Sequence, residues 1–318
     1  MNLKKKILVV GSGGDVGIAI IKTIKELDKK IYVIGANSRK NSPCRFFSNV
    51  SLICPLSESS KFKNWLLKTI RKYKIDILIS GVEEVNKSLS KIEEVRNITI
   101  NFPQKIHKVF NSKYHTYQWL KENGLNFPKT IKVKKNSTYS YLSRKLGKTF
   151  IIKPEIGKAS EGLIWVKNDN HFKFIKNENV SFVAQEIINF EHEEYTCAIF
   201  KSNFKYTKII MLKRFLKNGS TVYAEVTKNK MIAKYCLDIA QAFPVNGSIN
   251  VQLKLNKNKQ PVCFEINPRF SGTTYIRHRF GFIDLQASLY ETFFDINCID
   301  LFKERKGKAI RYQHEEFF

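Results

Sequence analysis

The residues of this chain best suited to chemistry stand in one string, Cys263-Phe-Glu265-Ile-Asn267-Pro-Arg269-Phe-Ser-Gly272. On a β-strand side chains alternate, so Glu265 and Asn267 point to one face. Pro268 cannot donate to a sheet ladder, so it ends the pairing and lets Arg269 follow. A carboxylate and an amide oxygen are hard donors of the kind Mg²⁺ takes while phosphate oxygens fill its other positions, and an Arg fork neutralises phosphoryl oxygens. The chemistry is phosphoryl transfer. Residues 256–261 read as a hairpin loop, and folding about it sets Gln252 beside Glu265 as a further oxygen donor. In this composition Glu-x-Asn-Pro-Arg is expected by chance in about one chain in a thousand of this length.

Other strings upstream have matching settings. Lys153 ends an apolar strand over 149–153, just ahead of Gly157-Lys-Ala-Ser-Glu-Gly162, a small-residue loop whose amides can wrap phosphates, and Lys113 opens the preceding helix. The strand over 182–185 runs into Gln185-Glu186-Ile187-Ile188, where a purine edge can be met, and Glu194 offers a carboxylate to ribose hydroxyls. Near the start, Gly11-Ser-Gly-Gly-Asp-Val-Gly17 lies between a strand and a helix and matches a dinucleotide fingerprint, with Ser38-Arg39-Lys40 placed to take a 2′-phosphate. Tight packing of strand on helix explains the same glycines. Tyr141 and Lys145 mimic the Tyr-x-x-x-Lys pair of short-chain reductases, but about two such pairs are expected at random here. Arg277 and Arg279 follow the metal string, each able to grip a carboxylate or to form a surface salt bridge.

These groups need a frame. A strand over 6–10, a helical spacing at Ile18, Ile21, Ile24 and Leu27, a strand over 31–34, an amphipathic helix over 62–73 and a strand over 75–79 describe a doubly wound parallel sheet. The rhythm changes near residue 105. Ser112 can cap a helix over 113–123 that Gly124 stops. From 149 onward strand and hairpin signals dominate, at 149–153, 163–166, 182–185, 195–200, 208–212, 249–255 and 262–267.

In this order the strings resemble the ATP-grasp superfamily, most closely the synthetase halves of the carbamoyl phosphate synthetase large subunit and their stand-alone relatives, over nearly the whole chain. The resemblance implies an α/β and α+β fold. A doubly wound, Rossmann-like pre-ATP-grasp domain would span residues 1–105, the ATP-grasp small lobe with its glycine-rich loop 106–180, the large lobe with the metal and phosphate site 181–296, and a short charged tail 297–318. It implies ATP on Lys113, Lys153, Ser160, Gly162, Gln185, Glu186, Ile187, Ile188 and Glu194. One or two Mg²⁺ ions, with Mn²⁺ as a substitute, would sit on Gln252, Glu265 and Asn267. Lys153, Asn267 and Arg269 would be the catalytic groups. Many members carry an acid where this chain has Gln252, which bears on a second metal. Gly13 and Gly14, with Arg277 or Arg279, would face the acid substrate. The implied activity is ATP-dependent ligation of a carboxylate to an amine, or to a thiol, through an acyl phosphate. With one synthetase unit and no glutaminase domain, full carbamoyl phosphate synthesis is not expected.

Composition bounds the alternatives. The 318 residues are 43% hydrophobic and 13% aromatic, enough to bury a core and too much for a disordered chain. No apolar run approaches a membrane helix and no secretory signal is read at the start. The six scattered cysteines form no metal or disulfide pattern, so a cytoplasmic location is expected. The net charge of +27 is carried mostly by diffuse Lys, with 11 Arg among 55 basic residues, which argues against nucleic acid as partner. The expected partners are a small-molecule or peptide carboxylate and an amine, with a homodimer as the candidate assembly. Two other classes stay open: an NADP-binding oxidoreductase using the glycine turn, and a polyanion-binding protein.

Overall fold

The computed structural model describes residues 5–157, 162–176, 180–188, 193–312 and 315–316. It begins with β1 (Lys6–Val10), α1 (Asp15–Leu27), β2 (Tyr32–Asn37), β3 (Val50–Ile53), α2 (Lys61–Tyr73), β4 (Ile77–Ser80), α3 (Glu83–Leu89) and β5 (Thr99–Ile100). The five strands are parallel in the order β3-β2-β1-β4-β5. Parallel strands are covered on both faces, which is why β1 is an unbroken apolar run. Ile7 and Val9 meet Ile20, Ile21 and Ile24 of α1, while Leu8 and Val10 meet Phe62 and Leu66 of α2. The doubly wound sheet read from the sequence is present.

Two helices follow, α4 (Gln104–Phe110) and α5 (Lys113–Glu122). Ser112 caps α5 by accepting from the His115 amide at 3.1 Å. A four-stranded sheet comes next, made of β6 (Thr130–Lys132), β7 (Phe150–Pro154), β8 (Ile164–Val166) and β9 (Phe182–Gln185) in the order β6-β9-β7-β8. It is backed by α6 (Tyr139–Leu146) and α7 (Asp169–Lys176), with Leu142, Phe150, Ile152 and Phe172 in its core. The largest sheet has six strands, β10 (Glu194–Lys201), β11 (Thr207–Lys217), β12 (Ser220–Thr227), β13 (Gly247–Leu255), β14 (Pro261–Asn267) and β15 (Lys308–Ile310), in the order β14-β13-β10-β11-β12-β15. One face packs α8 (Lys230–Ala242) with α4 and α5; the other, at one end, packs the segment between α9 (Thr274–Arg279) and α10 (Asp284–Phe294).

Several boundaries differ from those expected. β9, placed by sequence at the head of the large lobe, pairs with β6 and β7, because an apolar four-residue strand carries no mark of which sheet it joins. Phe110 and Leu120, inside the range given to the small lobe, pack with Phe243 and Ile249 of the large one. Residues 297–312 are not a solvated tail: β15 pairs antiparallel with β12, Phe302 stacks on Phe200 at 5.8 Å, and Arg311 binds Asp15 and the Gly272 carbonyl. All six cysteines are free and buried, and no described helix is long and apolar enough to cross a membrane.

Arg277, expected near substrate, has no exposed surface. Its Nε and Nη2 bind both oxygens of Asp284 at 2.9 and 2.6 Å, and Nη1 binds Ser271 Oγ at 2.7 Å. Ser248 of β13 donates to the same Asp284. The group therefore clamps the segment after β14 onto β13 and α10. Removing one partner of a buried pair leaves an uncompensated charge, at a loss of about 3–5 kcal/mol. Urea unfolding of Arg277→Ala should show that loss, and Arg277→Met with Asp284→Leu should recover part of it; a single substitution without effect would contradict a structural role.

Candidate active site

The site starts from the pairing of β13 with β14. Glu265 lies opposite Gln252 and Asn267 opposite Asn250, but the register shifts between Gln252 and Leu253, whose partner is Cys263. Phe264 is thus an extra residue, a β-bulge. Without it Cys263 and Glu265 would share a face. With it Cys263 joins the apolar core beside Leu253 and Ile266, and Glu265 turns to the polar face with Gln252 and Asn267.

On that face a chain of bonds holds the acceptor groups in place. Asn267 Nδ2 donates to Glu265 Oε1 at 2.9 Å, and Arg269 Nη2 donates to Asn267 Oδ1 at 3.1 Å. Arg269 Nη1 binds the Phe270 carbonyl at 2.9 Å, while its buried Nε has no bonding partner among the described residues. A group that sequence reasoning missed stands next to them. Arg214 of β11, opposite Glu194 of β10, donates through Nε and Nη2 to Glu194 Oε1 and reaches Gln252 Oε1 at 2.8 Å. Only long-range register brings these residues together, so no local signal marked Arg214. Gln252 Oε1 is thus engaged by the Arg214 guanidinium, as Asn267 Oδ1 is by that of Arg269.

Across the cleft the four-stranded sheet presents Lys153, at the end of β7. Its Nζ donates to Gln185 Oε1 at 2.8 Å, and Gln185 Nε2 donates to Thr130 Oγ1 at 2.8 Å. Burial, then the charge of Lys113, pulls the Lys153 pKa down from 10.5 to about 8, against the attraction of Glu265. Lys113 is lowered too, chiefly by burial, while Glu265, Glu83 and Glu155 oppose the shift. Its Nζ caps the entrance to the glycine loop by binding the carbonyls of Pro154 and Gly157 at 2.9 and 3.0 Å. Gly157 and Gly162, with φ of 159° and 69°, bracket that loop; Ser160 lies outside the described residues. Beyond β9, Glu186 accepts from the Lys129 amide at 2.8 Å, and Ile187 and Ile188 line a cavity of about 350 Å³ with Phe127 and Val262.

The amino-terminal turn is occupied by its own fold. The Gly11 and Ser12 amides both bind the Ala36 carbonyl, at 2.8 and 3.1 Å, so neither is free for a pyrophosphate. Asp15 puts a carboxylate on the first turn of α1, where phosphate would need positive charge. A Cβ on Gly13 would fall 2.3 Å from Asn37 and one on Gly17 2.4 Å from the Ser12 backbone, so both glycines serve packing; Gly14 faces open space. Arg279 is exposed and pairs with Glu26 at 3.4 Å.

Comparison with known proteins agrees with this geometry. Residues 110–273, more than half of the chain, match a family model described as an ATP-grasp domain, and the chain belongs to the ATP-grasp family. An uncharacterized protein of Methanocaldococcus jannaschii is 26% identical over 80% of this chain; the match spans 66% of that relative, just under two thirds of its length. Among solved structures, N5-carboxyaminoimidazole synthetase from Staphylococcus aureus complexed with ADP superposes with a TM-score of 0.74 at 19% identity, over 91% of this chain and 77% of its own. L-amino acid ligase from Bacillus licheniformis gives 0.70 at 16%, over 92% and 75%. The fold expected from the sequence, a Rossmann-like domain followed by an ATP-grasp domain, is shared with both.

Two measurements test this site. The Lys153 pKa near 8 lies below its unfolded value, so the folded protein loses the ammonium first as pH rises, and affinity for Mg·ATP should fall above pH 8 by up to about tenfold per unit. Lys153→Met should bind more weakly at pH 7 with that dependence gone; a flat wild-type profile from pH 7 to 9.5 would contradict the assignment. Gly14→Val has room to fold and should leave ATP affinity within about threefold, under roughly 0.7 kcal/mol. Loss of ATP binding in this variant would move the nucleotide to the amino-terminal turn.

Proposed function

We propose that the protein is an ATP-dependent ligase that activates a carboxylate as an acyl phosphate and passes it to a nucleophile, releasing ADP and phosphate. The observation that carries this reading is the bonded series Glu265, Asn267, Arg269 on one sheet facing Lys153 on the other. Such a site works by placing reactants in line and stabilising spread phosphoryl charge, so it needs no covalent nucleophile. Among the described residues no three His, Cys, Asp or Glu side chains cluster to hold a metal unaided. One carboxylate with an amide oxygen fits Mg²⁺, which keeps phosphate oxygens and waters as its other ligands. Glu265 and Asn267 would hold that ion, which supplies charge neutralisation between the phosphates.

The chain's own residues do the rest. Lys153 and Lys113 bring two cations to the mouth of the glycine loop, and Arg269 directs its guanidinium at the transferred phosphoryl group. Glu194, aligned by Arg214, takes the ribose hydroxyls. Gln185 orients Lys153, while Glu186, Ile187 and Ile188 form the adenine edge. A glycine loop closed over the nucleotide excludes the water that would hydrolyse an acyl phosphate. The synthetase and amino acid ligase with the same fold support a carboxylate and an amine as substrates. The NADP reading loses its footing because the Gly11 and Ser12 amides are already bonded.

Glu265→Gln and Asn267→Ala should each fold and yet abolish acid-dependent ADP release, assayed across pooled carboxylates and amines. Release at the wild-type rate in either variant would remove the metal and phosphate assignment.

A further inference from the structure

A polar cavity of about 120 Å³ lies between the amino-terminal sheet and the six-stranded sheet. Ser80 and Ile100 line it at the carboxyl ends of β4 and β5, Lys201 and Gly247 line it from the large sheet, and Arg269 lines it from the segment after β14. Ligands of open α/β sheets settle at the carboxyl ends of the strands. We propose that this cavity takes the acid substrate, and that the acid is a small one carrying a hydrogen-bond donor beside its carboxylate, a hydroxyl or an ammonium, rather than a peptide or a sugar acid. The inference rests on the ligase reading and deepens it.

Two buried polar atoms on the residues that line this cavity have no hydrogen-bond partner among the described residues, and they are of opposite kind. Arg269 Nε is a donor. Asn86 Oδ1 is an acceptor, on a side chain 2% exposed whose Nδ2 is spent on the Ser80 carbonyl at 3.0 Å. Leaving such groups unpaired is unfavourable, so the cavity suits a molecule that accepts at one end and donates at the other. The other charged groups of the lining are engaged within the fold. Lys201 donates to the Phe243 carbonyl, and Glu291 accepts from Ser202 Oγ at 2.7 Å, the Asn203 amide at 3.0 Å and Tyr206 Oη at 2.6 Å. Arg269 and Lys201 against Glu291 leave the lining net positive, so the accepting end is an anion, and a carboxylate meets Arg269 through a charge-assisted bond. Because Arg269 Nη2 is on Asn267 Oδ1, the guanidinium that holds the acid also borders the proposed metal and phosphate face. On activation a carboxylate oxygen forms a bond to the γ-phosphorus while the bridging P–O bond breaks, and ADP leaves with its electron pair. At roughly 30 Å³ for each water of liquid, the cavity equals about four waters, room for glycine, glycolate or lactate and too little for a dipeptide.

The test is a series of acids given to the wild type with Mg·ATP, with hydroxylamine to trap the acyl phosphate and ADP release as the readout. Glycolate, lactate, glycine and alanine carry the donor, acetate and propionate lack it, and glycylglycine and gluconate exceed the cavity. At least one acid of the first group should show a kcat/KM at least tenfold above that of its donor-free counterpart and of the two larger acids, because the counterpart leaves Asn86 unpaired. Asn86→Leu, which keeps the size and removes the acceptor, should raise the KM for the preferred acid at least tenfold, narrow its lead over the donor-free acid and leave Mg·ATP affinity unchanged. Should that variant fail to fold, the wild-type series still decides. Equal kcat/KM with and without the donor, a preference for the larger acids, or ADP release only with acids outside the first group would assign the cavity to water and overturn the inference while leaving the ligase reading intact. A wild type that releases no ADP in response to any carboxylate, small or large, would overturn the ligase reading and this inference together.

Discussion

The register between β13 and β14 is the constraint on which the rest of the site depends. Side chains on a strand have a period of two, so one inserted residue changes which of them face the core. The bulge at Phe264 lets Cys263 and Ile266, three positions apart, both enter the core, while Glu265 and Asn267 stay on the polar face. The fold thereby seals one side of β14 with apolar packing and keeps the other for ligands. The Arg277–Asp284 clamp then fixes the chain leaving β14, so that Arg269 and Phe270 are held between the large sheet and the amino-terminal unit, where Phe270 packs with Ile7 and Val9.

The electrostatics follow from that placement. The charge of Lys113 depresses Lys153, and burial depresses both, a strained arrangement for a resting protein. Strain of this kind is relieved by anions. Glu265, Glu83 and Glu155 oppose the shift of Lys113, while Glu194 is already bound to Arg214. An anionic ligand that brings its own divalent ion suits such a mixed set of cations and acids.

Much of this was legible in the sequence where local chemistry decides the outcome. Ser112 caps α5, Lys153 ends β7, and the hairpin about residues 256–261 sets Gln252 against Glu265, each from signals within a few residues. What was hidden depends on distant pairing. Arg214 matters only because β11 lies two strands from β13. Arg277 looked like a ligand because a guanidinium after the metal string reads the same whether it faces solvent or Asp284. β15 read as a tail because three residues, Lys308-Ala309-Ile310, gain strand character only from β12 beside them.

The central claim is that metal and nucleotide enter as one unit, since among the described residues of the polar face Glu194 is bound to Arg214 and leaves Glu265 as the carboxylate offered to a cation. Titrating Mn²⁺ and following the free ion by electron paramagnetic resonance tests it directly. The account predicts weak binding by the protein alone, at millimolar or higher concentrations, and tight binding once ADP is present, lost in Glu265→Gln. Tight Mn²⁺ binding without nucleotide, or binding with ADP that survives loss of the Glu265 carboxylate, would contradict it.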